Sequence, residues 1–569
     1  WYPRLASYTD YEGWNNRQFM GRGEFTLEVG DFDVAITVPS DHIVAATGVL
    51  QNPGEVLTAA QQERYENVND EALSLIVTPD EARANESSRS ENTRTWRFRA
   101  ENVRDFAFAS SRKFIWDARR TRSGDQDVMA MSFYPNEAEP LWSQYSTAAI
   151  IHTIDIYSDY TFHYPYPVSI SVNGPIGGME YPMITFNKPR PYADGTYWDE
   201  RQKDGDKTWE RSKYGLISVI IHEVGHNYFP MIVNSDERQW TWMDEGLNTF
   251  LQFLAEQAWE EDYPSRRGAP EKMVEYMAGD GQVPIMTNSD SVLQLGNNAY
   301  GKPATALNIL RESIMGRELF DYAFREYARR WMFKRPTPAD FFRTMEDASG
   351  VDLDWFWRGW FYSTDHVDVA ISDISLYLLD TRSPDTEKAW LREQEGEQEP
   401  DLTRQRNAGM TRLVDEEPAL QDFYNDFDEF AVTPYDYAQY EKFLATLDDR
   451  ERALQATDKQ FYTVTFENRG GLVTPLPLRI TYADDSTEEI TIPAEIWRRS
   501  ADSVTKLFIT EREITGIEFD PYRSTADADP GNNAWPRQPQ KTRFQLFKEK
   551  EEPNYMRRDH KDDWEQPIR

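Results

Sequence analysis

Apolar and polar positions alternate over residues 25–38, with Phe25, Leu27 and Val29 on one arm, Val34, Ile36 and Val38 on the other, and Gly30-Asp31 between them. That pattern predicts a β-hairpin. Trp96 and Phe98 continue the period of two, and the polar stretch at 80–94 reads as a surface loop, so residues 1–118 are expected to form an all-β unit. From 119 to 365 the pattern becomes mixed. Strands are expected at 168–172 and 183–186, then helices at 214–229, 244–259, 304–315, 318–331, 337–348 and 353–362, with Pro230 closing the first and Pro303 opening the third. Residues 366–459 read as a linker, acidic and loosely helical over 383–430 and helical over 440–456. Strands return over 460–537, where Tyr462, Val464 and Phe466 share one face and Leu478, Ile480 and Tyr482 another, the spacing of a small β-sandwich. Residues 538–569 are charged and lack periodicity. The predicted fold class is multidomain α+β.

Composition adds exclusions. A chain of 569 residues with 39% hydrophobic and 14% aromatic content can build several cores. Its formal net charge of -36 repels phosphate backbones and anionic lipid, so nucleic acid is not an expected partner. The basic residues comprise 16 Lys and 46 Arg, and an acidic, Lys-poor surface predicts adaptation to high salt. There is no Cys, which excludes a thiolate nucleophile, a Cys-ligated metal and disulfides. No run reaches 18 apolar residues, so no spanning helix is expected. The chain opens at Trp1 without a Met, which predicts a processed chain or a fragment.

The chemistry concentrates in HEVGH. His222 and His226 lie four apart in a helical run, so both imidazoles project from one face, with Glu223 beside them. Glu245 follows after eighteen residues, on the next predicted helix. Two imidazoles and one carboxylate leave a tetrahedral position open, the arrangement of a catalytic zinc, one ion per chain. The competing reading is a pair of core or surface histidines on an amphipathic helix. Accidental occurrence of this motif and spacing is expected in roughly one such chain in a thousand, which decides against it. With zinc lowering the pKa of a water, Glu223 is the group placed to take its proton during attack on a peptide carbonyl. The oxyanion then needs a second donor, for which a Tyr hydroxyl is suited.

Three motifs resemble the aminopeptidase N-like family of gluzincin zinc metallopeptidases, the membrane alanyl aminopeptidase family. HEVGH with Glu245 in WMDEGLNTF is similar to the family's zinc motif and W-x-N-E-G-F, GGMEYPM at 177–183 to its G-x-M-E-N, and AYGKPATALNIL from Ala299 to its Y-x-K-G segment. The resemblance implies a thermolysin-like catalytic domain over 119–365, the later part of a β-saddle over 1–118 and a β-sandwich over 460–537. It implies zinc held by His222, His226 and Glu245, Glu223 as general base, Tyr300 as oxyanion donor and Glu180 as anchor of the substrate's free α-amine. Gly177, Gly178 and Met179 would let the substrate backbone approach a strand edge. Lys302 matches the family's Lys, or is a solvated charge at a helix start. The implied activity is removal of N-terminal residues from peptides; a large, Cys-free peptidase is expected in the periplasm or outside the cell, with the cytoplasm left open.

The departures are Tyr181 for Asn, Pro303 for Gly, Asp244 for Asn before the zinc-binding Glu, and Gln252 where relatives carry a supporting Glu. The family's other amine-binding group is expected upstream of Trp1. His42, His152, His163, His366 and His560 are isolated, and Asp520, Asp527, Asp529, Asn532 and Asn533 read as a solvated turn. Two alternatives stay open: an endopeptidase or other hydrolase on the same site, and an inactive peptide-binding relative. Side-chain preference and oligomeric state are not legible.

Overall fold

A computed structural model describes residues 2–191 and 213–538. It is a mixed α/β, multidomain architecture. At its centre is a six-stranded sheet in the order Gly178–Tyr181, Ile184–Asn187, Val168–Asn173, Gln126–Tyr134, Ile115–Ser123, Ser74–Val77. The three strands Ile184–Asn187, Val168–Asn173 and Gln126–Tyr134 run parallel, and the outer pairings are antiparallel. Ser74–Val77 comes from the segment read as the N-terminal all-β unit, so this sheet crosses the expected boundary at 118.

The hairpin expected at 25–38 does not form. Gly30–Pro39 is one ten-residue strand paired along Thr93–Val103, and residues 24–29 are not in a strand. Gly30-Asp31, read as the turn, is a register shift in that pairing. The eleven-residue partner offers a longer ladder than a five-residue hairpin arm could. Residues 24–29 run instead beside the 234–238 loop, where Asn234 Nδ2 donates to the Leu27 carbonyl at 2.9 Å and the Arg238 guanidinium lies 5.0 Å from the Phe25 ring centroid. The loop expected at 80–94 is largely the helix Pro79–Ser88. Its capping box, in which Thr78 accepts from Glu81 N–H while Glu81 accepts from Thr78 N–H, was written in the sequence as T-P-D-E.

The twenty-residue helix Leu141–Tyr160 had no counterpart in the sequence reading. Its buried face includes Ser146, Thr147 and Thr153, which blur the apolar period. They are buried because they are bonded. Thr147 and the Tyr134 hydroxyl both donate to Asp117, fastening the helix to the sheet.

Beyond 365 the strand Val369–Tyr377 lies inside the segment read as linker, and it pairs antiparallel with Gln460–Asn468. With Ser503–Thr510 they make a three-stranded sheet, and a four-stranded sheet is ordered Thr487–Ile492, Leu476–Tyr482, Ile514–Phe519, Ala534–Trp535. The buried faces of Tyr462, Val464, Phe466 and of Leu478, Ile480, Tyr482 are those the alternation indicated. The helix expected at 440–456 is two, Pro434–Leu444 and Asp449–Gln455, because Asp448 caps the second. The Asp520 to Asn533 cluster is not the solvated turn expected: Asp520, Asp527, Asn532 and Asn533 are buried, with Asp520 accepting from Ser524 and Thr525 N–H and Asp527 from the distant Val369 N–H. The segment 538–569 lies, but for residue 538, outside the described residues. No described helix is long and apolar enough to cross a membrane.

Residues 378–459 contain a single buried residue, Pro384. With so little burial, opening this segment costs far less than global unfolding. Under native conditions trypsin is therefore expected to cut first at Arg404, Arg406 and Arg412, with both flanking strands remaining paired. Mass spectrometry of the early fragments checks it, and first cuts inside 213–360 would be the contrary result.

Candidate metal centre

The helix Lys213–Gly225 presents His222 and Glu223, and His226 sits on the residue that follows. Pro230 cannot continue that helix, and Phe229 leaves helical geometry at φ -132, ψ 113. Its carbonyl thereby turns back to accept from His226 Nδ1 at 2.9 Å. Glu245 lies in the turn Trp242–Gly246 that opens the helix Leu247–Trp259. Gly225 makes the approach of these helices possible, since a Cβ there would overlap Asn248 and Tyr157. Asn248 in turn donates to the His222 carbonyl at 2.8 Å and accepts from the Tyr157 hydroxyl at 2.8 Å.

His222 Nε2 and His226 Nε2 are 3.0 Å apart, and Glu245 Oε2 is 3.1 Å from the first and 3.4 Å from the second. Each imidazole uses its Nδ1–H elsewhere: His222 donates to Gln252 Oε1 at 2.9 Å and His226 to Phe229. The two Nε2 atoms therefore face each other and a carboxylate oxygen, and with both rings neutral all three are lone-pair acceptors. Three acceptors so close repel unless a cation lies among them. Bonds of about 2.0–2.1 Å in a tetrahedron place ligand atoms about 3.3 Å apart, which these edges fit. The residues present thus suit a zinc ion.

The surroundings demand positive charge. Burial opposes a charge on His226, yet Glu180, Asp244 and Glu245 outweigh it and raise its pKa well above the ordinary value. Burial would likewise raise Glu245, but His226 and His222 hold its carboxyl well below the usual range. Burial pushes Glu223 well up. A Cβ on Gly178 would overlap the Glu223 carboxylate, so the strand Gly178–Tyr181 must lack a side chain there for Glu223 to occupy its place.

Both departures around the ligands now have a location. Asp244 Oδ1 lies 2.9 Å from His226 Nδ1, and Gln252, whose amide donates to Glu256 at 2.8 Å, supports His222. The supporting carboxylate the resemblance places behind one imidazole stands here behind the other. Pro303 packs against Gly246, where a Cβ would overlap its ring, and so fastens the Tyr300 segment to the Glu245 turn. The Tyr300 hydroxyl donates to Glu245 Oε1 at 2.6 Å, and its ring stacks on His222 with centroids 5.6 Å apart. Burial and Glu245 keep that hydroxyl protonated.

Glu180 lies in Gly178–Tyr181, an edge strand of the central sheet, together with Met179; Gly177 precedes it. Its carboxylate falls within 4.8 Å of Glu24 and Glu237. Neither was indicated by the sequence reading, which expected the second amine-binding group before Trp1. Glu24 reaches the site because residues 24–29 follow the 234–238 loop, a path set by tertiary contacts. Glu237 is buried in an ion pair with Arg104, and its Oε2 has no partner among the described residues. Lys302 is not a solvated charge: it is fully buried, donating to Gln282 Oε1 at 3.1 Å and to the Ser363 carbonyl at 3.4 Å. Among the isolated histidines, His42 meets Ser110 and His152 the Ala255 carbonyl, while His560 lies outside the described residues.

Residues 145–360 match the model of the Peptidase family M1 domain. Aminopeptidase N of Lactococcus lactis subsp. lactis is 21% identical over 221 residues, 37% of this chain and 25% of that protein. Glutamyl aminopeptidase of Sus scrofa is 22% identical over 197 residues, 32% of this chain and 21% of that protein. The chain thus spans a quarter or less of the length of these curated relatives. Among solved structures, Legionella pneumophila aminopeptidase A in complex with aspartic acid aligns with TM-score 0.51 and 10% identity, covering 89% of this chain and 45% of that one, a likeness of fold. These matches make the chain similar to the aminopeptidase N-like peptidase family M1, a likeness carried by residues 145–360.

Two measurements follow from the site's surroundings. Asp244→Asn is expected to weaken zinc binding about tenfold, read by chelator competition, because the Phe229 carbonyl still holds the His226 tautomer. Unchanged affinity would remove Asp244 from metal support. Burial lowers Lys302 from 10.5 to about 8. In that window the unfolded chain carries a proton the folded chain lacks, so stability rises from pH 8 to 10.5 by about 3 kcal/mol. Lys302→Met should abolish that rise in denaturant titrations, and an equal slope in both proteins would contradict it.

Proposed function

We propose that this chain is a zinc-dependent aminopeptidase that hydrolyses the first peptide bond of substrates with a free N-terminus. The observation that carries the reading is the acceptor triangle of His222 Nε2, His226 Nε2 and Glu245 Oε2. A zinc ion held there by His222, His226 and Glu245 would supply Lewis acidity, bringing a water's pKa near neutrality and polarising the scissile carbonyl. Glu223 takes the water's proton as the C–O bond forms and returns it to the nitrogen as the C–N bond breaks. Tyr300, a protonated hydroxyl next to Glu245, donates to the oxyanion after leaving its ground-state partner.

Exopeptidase behaviour rests on the acidic end. Glu180, Glu24 and Glu237 present three carboxylates around one point, with only Arg104 paired against them, which suits an α-ammonium with its three N–H donors. The outer edge of Gly178–Tyr181 has no strand partner among the described residues and is open to a substrate backbone, with Gly177, Gly178 and Met179 beside it. We read the sheets of 30–103 as the later part of the family's β-saddle and the two sheets after 369 as its β-sandwich. The catalytic unit then occupies about 119–365, with the acidic insertion at 378–459.

The test uses the zinc-loaded full chain with aminoacyl-naphthylamides and their N-acetylated counterparts, with and without chelator. Turnover confined to free-amine substrates and lost on chelation is expected. Glu223→Gln should retain zinc while kcat falls roughly 10²–10⁴-fold, the scale of general-base catalysis. Glu180→Ala should raise KM for free-amine substrates far more than for blocked ones. Equal cleavage of acetylated peptides by the wild type would overturn the aminopeptidase reading, and a folded, metallated chain without turnover would overturn the enzyme.

A further inference from the structure

The site is electrically polar. On the His226 side lie Glu180, Asp244, Glu24 and Glu237, whereas the His222 side carries Glu256 behind Gln252, the Tyr300 ring and, with its guanidinium 4.6 Å from that ring's centroid, Arg267. Arg267 is half-buried, yet no carboxylate among the described residues lies within ion-pair distance of it. Other deeply placed arginines of this chain are paired, Arg104 with Glu237 and Arg311 with Asp321. Burial pushes the Arg267 pKa down and neighbouring Arg266 adds to it, while Tyr300, Glu245 and Glu256 act against them without forming an ion pair. A cation–π contact offsets only part of what an Arg loses on leaving water. A Cβ on Gly296 would come 3.0 Å from Arg267 Nη2, so the turn bearing Tyr300 is shaped to leave the guanidinium room.

Resting on the aminopeptidase reading, we infer that Arg267 binds a carboxylate on the substrate residue that follows the cleaved bond. With the α-ammonium at Glu180, the chain passes the metal ligands in the N-to-C direction and its next residue arrives on the Tyr300 side. Since that hydroxyl is 2.6 Å from Glu245 Oε1 and Arg267 lies against the same ring, the guanidinium is about one residue beyond the scissile carbonyl. The carboxylate can be a dipeptide's own terminus or the side chain of an Asp or Glu. A planar fork of N–H donors recognises both in the same way.

The experiment compares kcat/KM for Ala-Gly with Ala-Gly-amide, and for Ala-Asp-amide with Ala-Asn-amide, in wild type and Arg267→Met. The wild type should favour the carboxylate member of at least one pair, and the pair shows which source is read. Arg267→Met should reduce that preference roughly tenfold to a hundredfold, the worth of charge-assisted hydrogen bonds, and Arg267→Lys should restore part of it. Equal losses on acid and amide would overturn the inference and leave Arg267 acting through Tyr300. Calorimetric binding of the reduced-bond analogues of the same four compounds needs no turnover. It tests the carboxylate site even if the peptidase reading fails, and absence of an acid preference in wild type by both measures would sink it. Melting temperature and zinc content confirm that each variant is folded and loaded.

Discussion

Two imidazole nitrogens held 3.0 Å apart beside a carboxylate oxygen are the constraint on which this structure turns. The arrangement is expensive without a cation, and the protein enforces it from behind. Nδ1 of each ring is engaged, and the backbone beneath His222 is fixed by Asn248, itself fixed by Tyr157 from the Leu141–Tyr160 helix. Three helices converge at that level because Gly225 has no side chain to separate them. Repulsion that would spread the ligands is thus resisted by the packing of the catalytic core, and binding a dication relieves it. The core and the metal are coupled: ordering of one favours the other.

Everything that touches substrate in the proposed mechanism is placed by that core or by the sheet edge beside it. Glu223 shares a helix with His222 and faces Gly178, so the base and the strand bearing Glu180 have a fixed separation. Tyr300 is carried by a segment whose Pro303 rests on Gly246, one residue from Glu245. The groups proposed as general base, amine anchor and oxyanion donor are therefore each one packing contact from a candidate metal ligand. Such a site tolerates little drift, which is what positioning a peptide carbonyl for attack requires.

The ligand set was legible because its chemistry is local: His222 and His226 are related by a helical period, and Glu245 sits at a fixed distance along a helix–turn–helix path. Strand faces near 462–466 and 478–482 were legible for the same reason. What escaped was set by partners distant in sequence. The 25–38 alternation was real, but Thr93–Val103 outcompeted the hairpin for Gly30–Pro39. The Leu141–Tyr160 helix hid because Thr147 and Ser146 are buried through hydrogen bonds to Asp117 and Ser132, which a hydrophobic pattern cannot register. Glu24 and Glu237 lie 213 positions apart, and nothing in either neighbourhood announces that they meet. Lys302 looked like a surface charge because a helix start usually is one, and only the tertiary packing buries it.

The two departures flanking the ligands are best understood together. A zinc ion adds two positive charges, Glu245 removes one, and a second carboxylate in hydrogen-bond range of a ligand imidazole brings the cluster close to neutrality. Asp244 supplies that charge behind His226, leaving Gln252 to orient His222 without adding another. Had both positions been acidic, the excess would fall on Glu223 and Glu180, already crowded with carboxylates, and would hold the base protonated when it must accept. Set against the pattern the resemblance implies, Asn to Asp at 244 and Glu to Gln at 252 leave the total charge of the site unchanged while moving the charge from one ligand to the other.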